Sequence, residues 1–125
     1  MTMTIESSTT DSSLQSSNYD VSIFIPVYNE EENIKLLDDQ IKAALDGQSI
    51  NYEVIYVDDG SSDKSFEVLK SVAQGNSHIK VLKFRRNFGQ TAAMSAGIDA
   101  ASGKVLIPMD SDLQNDPSDI PNLLA

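Results

Sequence analysis

From Asp20 onward, short apolar runs alternate with stretches whose apolar residues recur every three or four positions. Val21-Ser22-Ile23-Phe24-Ile25 reads as a buried strand ending at Pro26. Asn29 is spaced to cap a helix with Glu32 in capping-box position. Glu30, Glu31 and Glu32 then fall in a first turn, where the helix dipole favours negative charge. Ile34, Leu37, Ile41, Ala44 and Leu45 form one apolar stripe, stopped at Gly47. The unit then repeats in kind without repeating its sequence. Tyr52–Val57 predicts a second strand and Asp58-Asp59-Gly60-Ser61-Ser62-Asp63 a turn, after which Phe66, Leu69, Val72 and Ala73 share a helix face. Ile79–Phe84 predicts a third strand, the Ala-rich Gln90–Ala101 a third helix, and Lys104–Met109 a fourth strand. Asp116-Pro117 has the chemistry of a further helix start. This alternation argues for an α/β fold, a doubly wound, mainly parallel sheet with helices on both faces.

The two ends break the pattern. Ten of residues 1–19 are Ser or Thr, too polar to offset the entropy of ordering, so a disordered tail is expected before a domain at 20–125. At the other end Ile120, Leu123 and Leu124 begin an apolar face just before Ala125. That is the expectation for a truncated domain.

Composition narrows the class. The 125 residues suit one domain, and 19 acidic against 9 basic side chains give a formal charge of −10. Such a balance argues against nucleic acid as a partner. No run approaches the length of a membrane span, and the first basic residue is Lys35, so no secretory start is visible. The absence of cysteine removes disulfides, thiolate metal sites and cysteine nucleophiles, and suits a reducing compartment. The charge is uneven: residues 80–104 hold Lys80, Lys83, Arg85, Arg86 and Lys104 against Asp99 alone. This segment is either a solvated basic face or an anion site in an acidic protein.

Ligands of open parallel sheets bind beyond the carboxyl ends of the strands. Those ends carry Pro26-Val27-Tyr28-Asn29-Glu30, Asp58-Asp59-Gly60, Arg85-Arg86-Asn87 and Asp110-Ser111-Asp112-Leu113-Gln114. No Gly-x-Gly or phosphate-binding P-loop occurs, and the only histidine, His78, lies at the far end as an ordinary surface residue. Asp110 and Asp112, one residue apart, can share a hard divalent cation, with Gln114 as a neutral oxygen donor. Asp-x-Asp alone is also common in solvated turns. Asp58 is placed to accept from a ligand N–H, whereas Asp59 reads as a turn residue and Asp63 as a helix cap. Tyr28 is either a platform for a planar ring or a half-buried loop aromatic, and Glu30 could accept from a ribose hydroxyl.

Taken in order, Phe24-Ile-Pro-Val-Tyr-Asn-Glu30, Val57-Asp-Asp-Gly-Ser-Ser-Asp63 and Asp110-Ser-Asp112 resemble the family 2 glycosyltransferases of the GT-A fold. Arg86-Asn-Phe-Gly-Gln-Thr-Ala-Ala93 and Asp110-Ser-Asp-Leu-Gln-Asn-Asp-Pro117 resemble, more narrowly, the dolichol-phosphate mannose synthase branch. The resemblance implies a Rossmann-like donor-binding half and inverting transfer of a hexose from a nucleotide sugar to a polyisoprenyl phosphate; UDP-glucose is favoured as the donor over GDP-mannose and other UDP-hexoses. It implies that Pro26, Tyr28, Glu30 and Asp58 hold the nucleotide, and that Arg85, Arg86 and Ser111 lie near nucleotide or phosphate. It implies that Asp110, Asp112 and Gln114 hold Mg²⁺ or Mn²⁺. Since the acceptor phosphate is already anionic, no catalytic base is assigned.

The family continues well beyond this length, so the resemblance covers a donor half that binds without transferring. The complete protein is expected at the cytoplasmic face of a membrane, and this piece in the cytoplasm. Lys104–Met109 would become an exposed sheet edge, which predicts self-association and a homo-oligomer. Competing readings are a non-catalytic nucleotide-binding or regulatory module and a processive polysaccharide synthase. A phosphoacceptor signalling domain lacks a clear acceptor Asp and partner Lys.

Overall fold

The computed structural model describes residues 3–7 and 19–111. Five strands and three helices follow in the order β1 (Met3–Ser7), β2 (Val21–Val27), α1 (Ile34–Leu45), β3 (Tyr52–Asp58), α2 (Ser65–Ala73), β4 (Ile79–Phe84), α3 (Gln90–Ala100) and β5 (Val105–Pro108). They form one sheet in the order β1-β4-β3-β2-β5. β4, β3, β2 and β5 are parallel neighbours, and β1 lies antiparallel on β4. The expected alternation is therefore present, with its parallel core intact.

β2 and β3 are buried on both faces, as their continuous β-branched and aromatic runs require. One face carries Ile23, Ile25, Val54 and Tyr56 against the α1 stripe of Ile34, Leu37, Ile41 and Leu45 and against Leu69 of α2. The other carries Phe24, Ile55, Val57, Leu82 and Phe84 against the small residues Ala93 and Ala96 of α3. Gly97 completes that small surface: a Cβ there would stand 2.8 Å from the Phe24 Cβ. The absence of a side chain lets α3 lie directly on the sheet.

Several local expectations are corrected. β2 continues through Pro26 rather than ending there. β5 pairs only as far as Phe24, so the missing Pro26 N–H is not needed for that ladder. The tail expected to be disordered contains β1, whose backbone runs from Met3 beside Phe84 to Ser7 beside Lys80. β4 otherwise presents an open ladder on that side, and pairing satisfies it. Helix α1 begins at Ile34, so Glu30–Glu32 precede it instead of forming its first turn. Asn29 does not cap α1; it has a φ of 53° and serves a neighbouring loop. The helix expected after Asp116 lies outside the described residues.

At the amino ends of the strands, Glu53 is fully buried. Its Oε2 accepts from the Ser22 hydroxyl at 2.5 Å, the Ser102 amide at 2.7 Å and the Ser102 hydroxyl at 2.9 Å. The Lys80 ammonium stands 3.0 Å from Oε1. The Gly103 amide donates to the Ser22 hydroxyl at 2.7 Å. The lock ties β2, β3, β4 and the turn before β5 together, so Lys80 is more than an ordinary strand-face charge. Lys83, read the same way, lies 4.3 Å from the Phe66 ring centroid. His78 is half-buried against Tyr52, with ring centroids 5.0 Å apart, and its burial lowers its pKa.

Candidate nucleotide-binding cleft

The loops after β2 and β3 are stitched together by short polar side chains. Asn29 donates its amide to the Ser61 hydroxyl at 2.9 Å, and its Oδ1 accepts from the Ser62 amide at 2.8 Å and the Asp63 amide at 3.3 Å. The Glu30 amide donates to the Ser65 hydroxyl at 2.9 Å. Asp63 accepts from the Ser65 amide at 2.9 Å, as a residue at a helix start should. Partial burial raises the Asp63 pKa, but hydrogen bonds from Ser65 and Glu31 outweigh it and hold the carboxyl below its ordinary value. Asn33 Nδ2 donates to Glu30 Oε2 at 2.8 Å and fixes the Glu30 side chain.

Beside this double loop lies a cleft of about 190 Å³, at the carboxyl ends of the strands. Pro26, Val27, Tyr28 and Glu30 line it from β2 and its loop, with Asp59, Gln90, Asp110 and Ser111 from the neighbouring segments. The structure thus brings together Pro26, Tyr28, Glu30, Asp110 and Ser111 of the expected site. Tyr28 is 47% exposed, as an aromatic free to meet a planar partner would be. Asp112 and Gln114 lie outside the described residues. Among the described residues, no group of three or more acidic, histidine or cysteine side chains forms a cage for a metal ion.

Asp58 and Asp59 differ from expectation. Asp58 is 1% exposed and does not line the cleft. Its Oδ1 accepts from the Ser61 amide at 3.2 Å, while Oδ2 is a buried acceptor with no hydrogen bond. Burial raises the Asp58 pKa against the opposing pull of Ser61 and the Lys83 charge. Asp59, read from the sequence as a turn residue, is the one that reaches the cleft. It is 3% exposed, and Phe88 donates its amide to Oδ1 at 2.8 Å. Asn87 Nδ2 and the Gly89 amide donate to Oδ2 at 3.0 and 3.1 Å.

Gly60, with φ +73°, permits this approach: a Cβ would stand 2.2 Å from the Arg86 carbonyl carbon. Arg85 and Arg86 are exposed and do not line the cleft. Arg86 instead stacks over the Phe88 ring at 4.5 Å. Asp59 and Gln90 were missed as cleft residues. The signal available for them was that the Asp58-Asp59 and Asn87–Gln90 segments both follow strands that end on the same rim.

A parallel sheet with a polar, acidic cleft beyond its carboxyl ends has the ligand-binding layout of the open α/β architectures. Residues 22–125 match the family model described as Glycosyl transferase family 2. The chain belongs to this family. It is 41% identical over 107 residues to a dodecaprenyl-phosphate galacturonate synthase of Rhizobium johnstonii, covering 85% of this chain and 32% of that protein. It is 48% identical over 105 residues to an undecaprenyl-phosphate 4-deoxy-4-formamido-L-arabinose transferase of Yersinia pestis, covering 83% and 32%. The chain therefore spans about a third of the length of these curated relatives.

Among solved structures, glucosyl-3-phosphoglycerate synthase of Mycobacterium tuberculosis, with Mn²⁺, UDP and glucosyl-3-phosphoglycerate, matches with a TM-score of 0.64 and 26% identity. That match covers 83% of this chain and 38% of the other. A mannosyltransferase of Pyrobaculum calidifontis with GDP-Man and Mn²⁺ shares the fold at TM-score 0.66 and 21% identity, covering 75% and 28%. The fold is the GT-A fold.

Proposed function

We propose that this chain is the donor-binding part of a metal-dependent, inverting glycosyltransferase that moves a hexose from a nucleotide sugar to a polyisoprenyl phosphate. The observation that carries the reading is the convergence of Pro26, Tyr28, Glu30, Asp110 and Ser111 on one cleft at the strand ends. The two relatives named for polyprenyl-phosphate transfer support the acceptor class. UDP-glucose is the donor of first choice. The chain spans a third of those relatives, so we assign it donor binding without turnover. The complete enzyme works at the cytoplasmic face of a membrane, where a lipid acceptor is presented.

The roles follow from the chemistry of each group. Tyr28 offers its exposed ring to the base, and Glu30, already oriented by Asn33, accepts from a sugar hydroxyl. The buried Oδ2 of Asp58 is an acceptor without a hydrogen bond, of the kind that an N–H of the base would satisfy. Arg85 and Arg86 supply positive charge to the rim. Asp110, Asp112 and Gln114 are oxygen donors of the kind that Mg²⁺ and Mn²⁺ take, and Asp110 already lines the cleft. When bound, the ion supplies Lewis-acid stabilisation of the departing diphosphate. An acceptor phosphate carries its own negative charge, so the chain's residues need only orient the donor and exclude water.

The test is calorimetric titration of the chain with UDP-glucose, other UDP-hexoses and GDP-mannose, with and without Mn²⁺. UDP-glucose should bind more tightly with Mn²⁺, and Asp110→Asn should remove that metal-dependent gain. Equal binding of UDP-glucose to the Asn variant with Mn²⁺ would overturn the metal assignment.

A further inference from the structure

We propose that the outer edge of β4 is a strand-acceptor slot that β1 of a second copy of this chain fills, so that two chains exchange their amino-terminal strands. β4 has β3 on one side, in parallel, and β1 on the other, antiparallel from Met3 opposite Phe84 to Ser7 opposite Lys80. β1 is an end strand, with no neighbour beyond it among the described residues. Its contacts are concentrated on β4. A single ladder of 5 residues therefore holds it, and two-stranded pairing is by itself a marginal tie.

The connection from this strand to the rest of the sheet is longer than the fold requires. β4 and β3 separate β1 from β2, a distance of ~15 Å across the sheet. Residues 8–20, which join the two strands, can span roughly 40 Å when extended. Seven of them are Ser or Thr, and Leu14 is the sole aliphatic. That composition offers little apolar surface with which to tie β1 to its own sheet. An exchanged strand makes the same register pairs as a resident one, so exchange gives up no ladder hydrogen bond, and mass action favours it as concentration rises. Ser7 pairs beside the start of β4, so the connection leaves from the amino ends of the parallel strands, away from the cleft.

The chain has no cysteine, so introduced thiols report without background. Thr4 is the register partner of the exposed Lys83. Opposed residues of an antiparallel pair have Cα atoms ~5 Å apart, within the span of a disulfide. A Thr4→Cys chain is mixed with a Lys83→Cys chain and oxidised with glutathione disulfide. Both chains also carry Leu106→Lys, which suppresses pairing through β5. The mixed dimer, identified by mass, should exceed by about tenfold the one formed when Lys35→Cys on α1 replaces Lys83→Cys. Its yield should rise with protein concentration. If the variants fold poorly, the wild-type chain decides the matter: two differently isotope-labelled preparations are mixed, and filtered NMR reads backbone contacts between β1 of one chain and β4 of the other. A mixed dimer no more abundant than the Lys35 control would overturn the proposal. So would β1–β4 contacts that are absent or occur only within a chain.

Discussion

Glu53 shows how one side chain can make stability depend on pH. Burial alone would raise its pKa, but hydrogen bonds from Ser22, Ser102 and Lys80, with the Lys80 charge, outweigh burial and hold it below the usual glutamate value. A carboxyl depressed in the folded state contributes stability that is fully present above the unfolded-state pKa. That contribution is lost as pH falls through the folded-state value. Chemical denaturation from pH 7 downward should therefore show a steep loss of stability at acid pH that Glu53→Gln blunts. At pH 7 the same substitution should cost about 3 kcal/mol, because it leaves Lys80 facing a neutral group in a buried network. A Gln variant with wild-type stability at both ends of the range would remove Glu53 from this role. Nothing in the one-dimensional pattern singled out Glu53, since its partners come from residues 22, 80 and 102, each distant in sequence.

The elements themselves were readable because each repeats a period set by backbone geometry. The Ile34, Leu37, Ile41 and Leu45 stripe is the buried face of α1, and Ile79–Phe84 has the predicted bounds. The starts were less readable, because short polar residues serve more than one partner. Asn29 matches the chemistry of a helix cap, yet its side chain joins the β3–α2 loop instead. β1 was missed because five residues within a Ser/Thr-rich stretch have no periodicity of their own; their ladder comes from β4. The site divides the same way. Pro26, Tyr28, Glu30, Asp110 and Ser111 follow from the rule that parallel strands bind at their carboxyl ends. That Asp59 and not Asp58 lines the cleft depends on contacts with Asn87, Phe88 and Gly89, which no spacing encodes. At the α3 contact, Gly97→Ala improves helix propensity by about 1 kcal/mol but brings a methyl to 2.8 Å from Phe24. We expect the clash to win, with a net loss of about 1–2 kcal/mol in urea denaturation. A stabilised variant would mean that α3 can lift freely from the sheet.

At the scale of the whole molecule, β5 is the end strand of the sheet among the described residues. Its Val105 and Leu106 are 43% and 41% exposed. An open ladder carrying apolar side chains invites pairing with a second copy. Light scattering of the chain should show mass rising with concentration, and Leu106→Lys should lower it; a clean monomer at high concentration would refute the idea. None of the described helices is long and apolar enough to cross a membrane. The Glu53 lock and the cleft stand at opposite ends of the same strands. Mutational drift in the rim loops is thereby insulated from the anchor that secures the sheet. Loops grafted from relatives with other donors should be tolerated by this scaffold, making it a starting point for exchanging specificity one loop at a time.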